Sequence, residues 1–269
     1  MGALGAVGGT AGSVTVTDTG LLAPSAVGRS SVLCTTPAKL SATALVIFAA
    51  CSGSPSVTEM SMSALQELRR RIEGGELGAV YQVVTRRQGP FPSRIADVGV
   101  AKDLASHDVD LTAWVVQSDY ELVFAQTTFK SGREHEDMIT ITGRTGSGVI
   151  VNNIVNWLSP MKERVTVVTG EKGAFVADTS TGDLTFYANG TIPLEWESMS
   201  TFRGVSEGDV TRYAFPKREP LRVEHEAFRD AVLGNKTDLV TMEQGQRTLT
   251  VVEAALRSAQ DGLAIKLDR

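Results

Sequence analysis

From Glu121 to Tyr187 the chain runs through six short alternating segments, Glu121–Phe129, Met138–Arg144, Val149–Trp157, Arg164–Thr169, Ala174–Asp178 and Asp183–Tyr187. Their connectors are tight and rich in glycine, at 146–148, 170–173, 181–182 and Asn189-Gly190. Parallel neighbours need a crossover of about a dozen residues or more, so strands joined this closely must pair antiparallel. Asn-Gly between two strand-like runs predicts a type I′ hairpin turn.

Helix signals flank this run. Ser63 and Gln66 have the spacing of a capping box, Leu65, Leu68 and Ile72 form an apolar face, and Gly74-Gly75 ends the turn. Ala79–Arg86 reads as a strand, and a proline-bearing loop, Gly89–Arg94, leads to a helix over 102–117. Two more helices close the chain. One runs from Pro220 to Leu233 and stops at Gly234; the other starts at Thr241, with Gln244 three residues on, and points Leu249, Val252, Leu256 and Ala259 at a core. The order predicts an α+β domain over 63–269, with an open, mostly antiparallel sheet. Helices 63–73, 102–117, 220–233 and 242–259 are expected to cover one face. The other face is expected to carry Val149, Val151 and Val155 and to seek a partner subunit.

Residues 1–62 have a different composition, rich in Gly, Ala, Ser and Thr with few charges. Ser13–Thr17, Ser30–Cys34 and Ser56–Met62 have strand character, and Ser41 can cap a helix over Ala42–Ala50. This stretch is expected to be a remnant α/β segment. Cys34 and Cys51 have no CxxC spacing and no nearby histidine, so neither a metal site nor a disulfide framework is expected. Ala44–Cys51 (ALVIFAAC) has the ending of a lipoprotein signal, but it starts far from the N-terminus without a basic leader, which favours a buried helix. No apolar run reaches the roughly 20 residues that span a bilayer. A formal charge of −5 leaves no basic excess for nucleic acid. A cytoplasmic protein is expected.

The sharpest local feature is Asp97-Val-Gly-Val-Ala-Lys-Asp103-Leu-Ala-Ser-His107-Asp-Val-Asp110. On a helix Asp103, His107, Asp110 and Trp114 share one stripe, beside an apolar stripe of Leu104, Leu111 and Val115. A carboxylate beside an imidazole raises its pKa and fixes its tautomer, which suits general acid–base chemistry near neutral pH. The same spacing also fits a solvated ion pair on a helix surface.

GVAKDLASHDVD resembles the G-x-x-x-D-x-x-x-H-D-x-D motif of the Gfo/Idh/MocA oxidoreductases. Further stretches fit in order: GELGAVYQVVTRRQGPFPSRIADVG, VNWLSPMKERVTVVTGEKGAFVAD, LTFYANG, EAFRDAVLG and GQRTLTVVEAALRSA. The similarity spans residues 63–267. The GPFPSRIADVGV stretch is most similar to the branch that acts on UDP-N-acetylhexosamines, with the inositol 2-dehydrogenases close by. The resemblance implies a dehydrogenase that uses NAD or NADP on a secondary hydroxyl of a nucleotide sugar or cyclitol, assembled as a homo-oligomer. It implies that His107 removes the hydroxyl proton and that Asp103 binds the sugar or orients the histidine. It implies Arg94, Asp110, Asn156, Trp157 and Lys162 as substrate contacts, with sheet packing as the alternative for Trp157 and a solvated charge for Lys162.

The N-terminal segment departs from the family. Val32-Leu-Cys-Thr35-Thr36-Pro37 aligns with a V-L-x-E-K-P segment whose lysine works beside the nicotinamide, so Thr36 and Pro37 mark the cofactor side without its cation. A Rossmann domain needs a strand, a G-x-G-x-x-G turn and an acidic residue about 20 positions on. Gly2, Gly5, Gly8 and Gly9 do not have that spacing. The expectation is a truncated dinucleotide-binding segment over 1–62, and a non-catalytic remnant stands as the alternative to an active dehydrogenase.

Overall fold

The computed structural model describes residues 62–93, 95, 97–190, 206–237 and 239–267. The expectations for residues 1–61, with Thr36 and Pro37, lie outside these, as does Arg94.

The first helix, α1 (Ser63–Glu73), starts without the expected capping box. Met62 is its N-cap and offers no side-chain bond. Ser63 Oγ instead accepts the Arg218 backbone N–H at 3.0 Å, which ties α1 to the chain before the next-to-last helix. Strand β1 (Val80–Pro90) follows, then a π-helical turn (Ala101–Ala105) that opens into α2 (Ser106–Val116). Six strands follow: β2 (Tyr120–Thr128), β3 (Met138–Thr145), β4 (Ile150–Asn156), β5 (Leu158–Gly170), β6 (Gly173–Asp178) and β7 (Asp183–Gly190). Strand β8 (Ser206–Arg212), α3 (Pro220–Val232), α4 (Met242–Asp261) and β9 (Ile265–Lys266) complete the order.

The described strands form one open sheet in the order β8-β7-β6-β5-β1-β4-β3-β2-β9. It is mostly antiparallel. The parallel exception is β1 against β4, and the chain between them, which holds α2 and the β2–β3 pair, gives that pairing its crossover. Strand β1 is therefore central, with β4 on one side and β5 on the other.

Three expectations need correction. Asn189-Gly190 is not a hairpin turn: β7 continues through it, and Asn189 and Gly190 pair with Glu207 and Ser206 of β8. In a two-residue turn these residues would lie outside the ladder, whereas here both take part in it. Val149, Val151 and Val155 do not face a partner; they are buried in the core beneath the helices. The segment VIVNNIVNW carries apolar residues on both alternate sets, so its phase cannot be read from pattern alone. Finally, α3 buries no residue, and Leu249 of α4 is exposed.

The inner face of the sheet presents Val83, Val123, Ile139, Ile141, Val151, Val155, Val168 and Phe175 to a core shared with Leu65 and Leu68 of α1, Val109 and Leu111 of α2, and Val252 and Ala255 of α4. The capping box expected for α4 is present: Thr241 Oγ1 accepts the Gln244 N–H, and Gln244 Oε1 accepts the Thr241 N–H. Such a cap is worth about 1 kcal/mol. The opposite face carries no described helix. Val84 of β1 pairs with Val167 of β5, which pairs with Val176 of β6, and Ile154 of β4 flanks Arg86. That face is an apolar band with polar and charged residues among it.

Candidate functional site

The DVGVAKDLASHDVD stretch forms the π-turn and the first turns of α2. A π-turn holds one more residue per turn than an α-helix and recurs at functional sites. Here it carries Asp103, which is half-buried. Ser106 Oγ donates to the Lys102 carbonyl at 2.9 Å across the junction. His107 is 1% exposed and Asp110 6% exposed, so both sit inside the domain, and the solvated-surface alternative is overturned for them.

Asp108, which the sequence reading passed over, makes the principal link from α2 to the sheet. Arg87 Nε of β1 donates to both its carboxylate oxygens, at 3.1 and 3.2 Å, and both side chains are buried. Beside this pair, Asn153 Nδ2 donates to Thr85 Oγ1 at 2.9 Å and to Thr112 Oγ1 at 3.2 Å, and Asn153 Oδ1 accepts the Tyr120 hydroxyl at 3.0 Å. Thr112 Oγ1 in turn donates to the Asp108 carbonyl. This satisfied polar layer fixes the depth and rotation of α2 on β1 and β4, and hence the placement of the neighbouring His107.

Asp110 points to another element. Its Oδ1 accepts the Thr248 hydroxyl of α4 at 3.1 Å. Burial pushes its carboxyl up to about 6, against the lowering effect of the Thr248 bond. Trp114 is half-buried, with the Arg69 guanidinium 4.4 Å above its ring.

The other expected contacts are dispersed. Trp157 is buried and meets Phe91 edge-to-face at 5.3 Å, which is the packing role held as its alternative. Asn156 spends its side chain at the end of β4, donating to Gln88 Oε1 and accepting the Leu158 N–H. Lys162 is exposed on β5.

The loop between β2 and β3, residues 129–137, was missed by the sequence reading. Glu136 is buried; its Oε1 accepts the Ala101 N–H and its backbone carbonyl accepts the Val100 N–H, both at 3.0 Å. A Cβ on Gly99 would stand 2.0–2.2 Å from the Glu136 carboxyl atoms, so any other residue there would displace that carboxylate. Arg133 donates to the Val98 carbonyl at 2.9 Å and stacks 4.4 Å from the Phe91 ring centroid. Asp137 holds the loop closed by accepting from Lys130 N, Ser131 N and Ser131 Oγ. Burial opposes ionisation of Asp137, but these bonds and Arg133 hold its carboxyl below the ordinary range. No sequence rule ties residues 35 positions apart, so Glu136 and Ala101 could be connected only through the fold.

A dinucleotide needs a helix start reached through a glycine turn and open to an anion. The described helix starts do not fit. The turn that Gly99 opens is closed by Glu136, α3 is capped by its own Glu219, α4 by Thr241 and Gln244, and Met62 precedes α1 in place of a glycine turn. Among the described residues, no group of three or more His, Cys, Asp or Glu is placed to hold a metal, and no helix is long and apolar enough to cross a membrane.

Comparison with curated proteins gives no match. Solved structures share the fold. UDP-N-acetylglucosamine 3-dehydrogenase GnnA from Acidithiobacillus ferrooxidans is 21% identical with a TM-score of 0.63, over 82% of this chain and 66% of that one. Aldose-aldose oxidoreductase from Caulobacter crescentus is 18% identical with a TM-score of 0.62, over 84% and 69%. WlbA dehydrogenase from Bordetella pertussis, solved with NADH and UDP-GlcNAcA, is 23% identical with a TM-score of 0.55, over 77% and 60%. The chain thus spans about two thirds of the length of GnnA. Residues 65–176, from α1 to β6, match the model of the GFO/IDH/MocA C-terminal domain. That match covers under half of the chain, and over its described residues the chain shares the fold of these solved oxidoreductases.

Proposed function

We propose that this domain is the substrate side of an oxidoreductase acting on a secondary hydroxyl of a nucleotide sugar, with a UDP-N-acetylhexosamine as the first candidate and a cyclitol as the second. The observation that carries the reading is the buried His107 on a helix whose π-turn carries Asp103. The imidazole is the group that accepts the hydroxyl proton, and Asp103 binds the sugar or orients the ring. Arg94, Asp110, Asn156, Trp157 and Lys162 belong to the proposal as substrate contacts. For Asp110 and Asn156 the bonds to Thr248 and Gln88 weigh towards holding the surrounding structure. The sheet face that carries no described helix supports a homo-oligomer, and a nucleotide-sugar substrate supports a cytoplasmic location.

A second reading is favoured by two observations. Thr36 stands where the family carries its lysine before Pro37, and the described helix starts offer no place for the diphosphate of NAD or NADP. On this reading the chain keeps the sugar pocket and the oligomer interface without turnover. Calorimetric titration of UDP-N-acetylglucosamine into wild type and His107→Ala tests the site that both readings share. Binding that weakens at least tenfold in the variant supports the pocket. Absent binding, or binding unchanged by His107→Ala, overturns both.

A further inference from the structure

The geometry points to Glu136 as a positioning residue: its carboxylate closes the start of the helix that carries Asp103 and His107, and so sets the shape of the sugar pocket. Three observations converge on this loop. The carboxylate is buried and bonded to the Ala101 N–H at the first residue of the π-turn. Gly99 lies directly beneath it, and a Cβ there would push the carboxylate out of its place. Arg133, from the same loop, holds the Val98 carbonyl one residue earlier, braced by the rings of Phe91 and Trp157 at 4.4 and 5.3 Å.

The physical effect has two parts. A helix start presents unsatisfied N–H groups and a positive end of the backbone dipole, and an anion placed there is stabilising. Glu136 supplies an acceptor for one of those N–H groups from a distant loop, so the π-turn keeps its register through that hydrogen bond without a local cap; no side chain of its own segment caps it. The same carboxylate occupies the place where a substrate phosphate would otherwise dock. A nucleotide sugar must then present its neutral ring, and not its diphosphate, to this end of α2.

The affinity part of the test rests on the sugar-binding reading above; the exchange part does not. In the full chain, Glu136→Ala is expected to weaken UDP-N-acetylglucosamine at least tenfold, while Glu136→Gln, whose amide oxygen can still accept the Ala101 N–H, stays within about threefold of wild type. Gly99→Ala should match Glu136→Ala, and combining the two should add little, because the new methyl enters space the carboxylate has left. Leu184→Ala, a core truncation on β7, should lower Tm at least as much while leaving affinity unchanged, which separates positioning from general destabilisation. Wild-type affinity in Glu136→Ala, or a Gln variant as weak as the Ala variant, would overturn the proposal. If wild type binds no sugar, the functional reading has failed and amide exchange decides this one. Exchange of the Ala101 N–H should accelerate at least tenfold in Glu136→Ala and not in Glu136→Gln; unchanged exchange in Glu136→Ala overturns it.

Discussion

Arg87 on the central strand and Asp108 on α2 form a buried ion pair with nitrogen–oxygen distances of 3.1 and 3.2 Å, one residue from His107. Removing one partner leaves the other charge buried and unmatched, which costs about 3–5 kcal/mol. Arg87→Met is therefore expected to lose that much stability in urea unfolding. The double variant Arg87→Met with Asp108→Leu should recover most of it, because an apolar pair of similar volume removes the desolvation cost along with the attraction. A double variant as unstable as the sum of its singles would show that the two residues do not act as a pair.

The sheet face that carries no described helix leads to a second expectation. Val84, Val167 and Val176 lie side by side across β1, β5 and β6, and among the described residues no helix covers them. Light scattering at micromolar concentration should find an oligomer. Val167→Lys should dissociate it while leaving the circular dichroism spectrum unchanged, since the substitution sits on the face away from the core. A monomeric wild type would remove the sheet face as an interface.

The register of this face also shows what the sequence could and could not reveal. Helix type and order were legible because α1, α2 and α4 each place an apolar stripe beside polar residues. The strands from 120 to 190 were legible from alternation and tight connectors. The phase of β4 was not, because Ile150 and Ile154 stand on one face while Val151 and Val155 stand on the other, with Asn152, Asn153 and Asn156 between them. Strand β8 went unrecognised because SEGDVTR is polar and gains its order from pairing with β7. At the site, the motif named His107 and Asp103 through spacing along one helix. Arg87, Glu136 and Arg133 reach the same helix or the residues just before it from a strand and a loop far away in sequence, and only the folded sheet brings them there.

Cofactor affinity is the third expectation. Among the described residues no glycine-opened helix start is left free for an anion; without one, a dinucleotide diphosphate loses its charge-assisted hydrogen bonds, a loss of several kcal/mol or roughly a thousandfold in affinity. NADH titrated into the full chain should show no enhancement of nicotinamide fluorescence at micromolar concentration. Micromolar binding would return the chain to the active-dehydrogenase reading and would locate the diphosphate on residues outside those described.

The last expectation concerns Asp110, whose carboxyl burial pushes up to about 6 from an ordinary 3.8. The folded domain then holds the proton more tightly than the unfolded chain does. Below pH 3.8 both states are protonated and the group is neutral to stability. Between about 4 and 6 the unfolded chain ionises first, so stability falls as pH rises. Above pH 6 the full cost is present, on the order of 3 kcal/mol from a shift of about two units. Asp110→Asn removes the titration and keeps an oxygen to accept the Thr248 hydroxyl. Its Tm should exceed that of wild type by several degrees at pH 7.5, and the two should converge near pH 4. The effect is opposite in sign to that of an ion-paired carboxylate such as Asp183, which Arg212, Thr181 and Lys217 hold well below its ordinary value. A Tm difference that stays constant from pH 4 to 8 would show that Asp110 is not the group that titrates, and a variant less stable than wild type at pH 7.5 would show that its charged form is favoured by the fold.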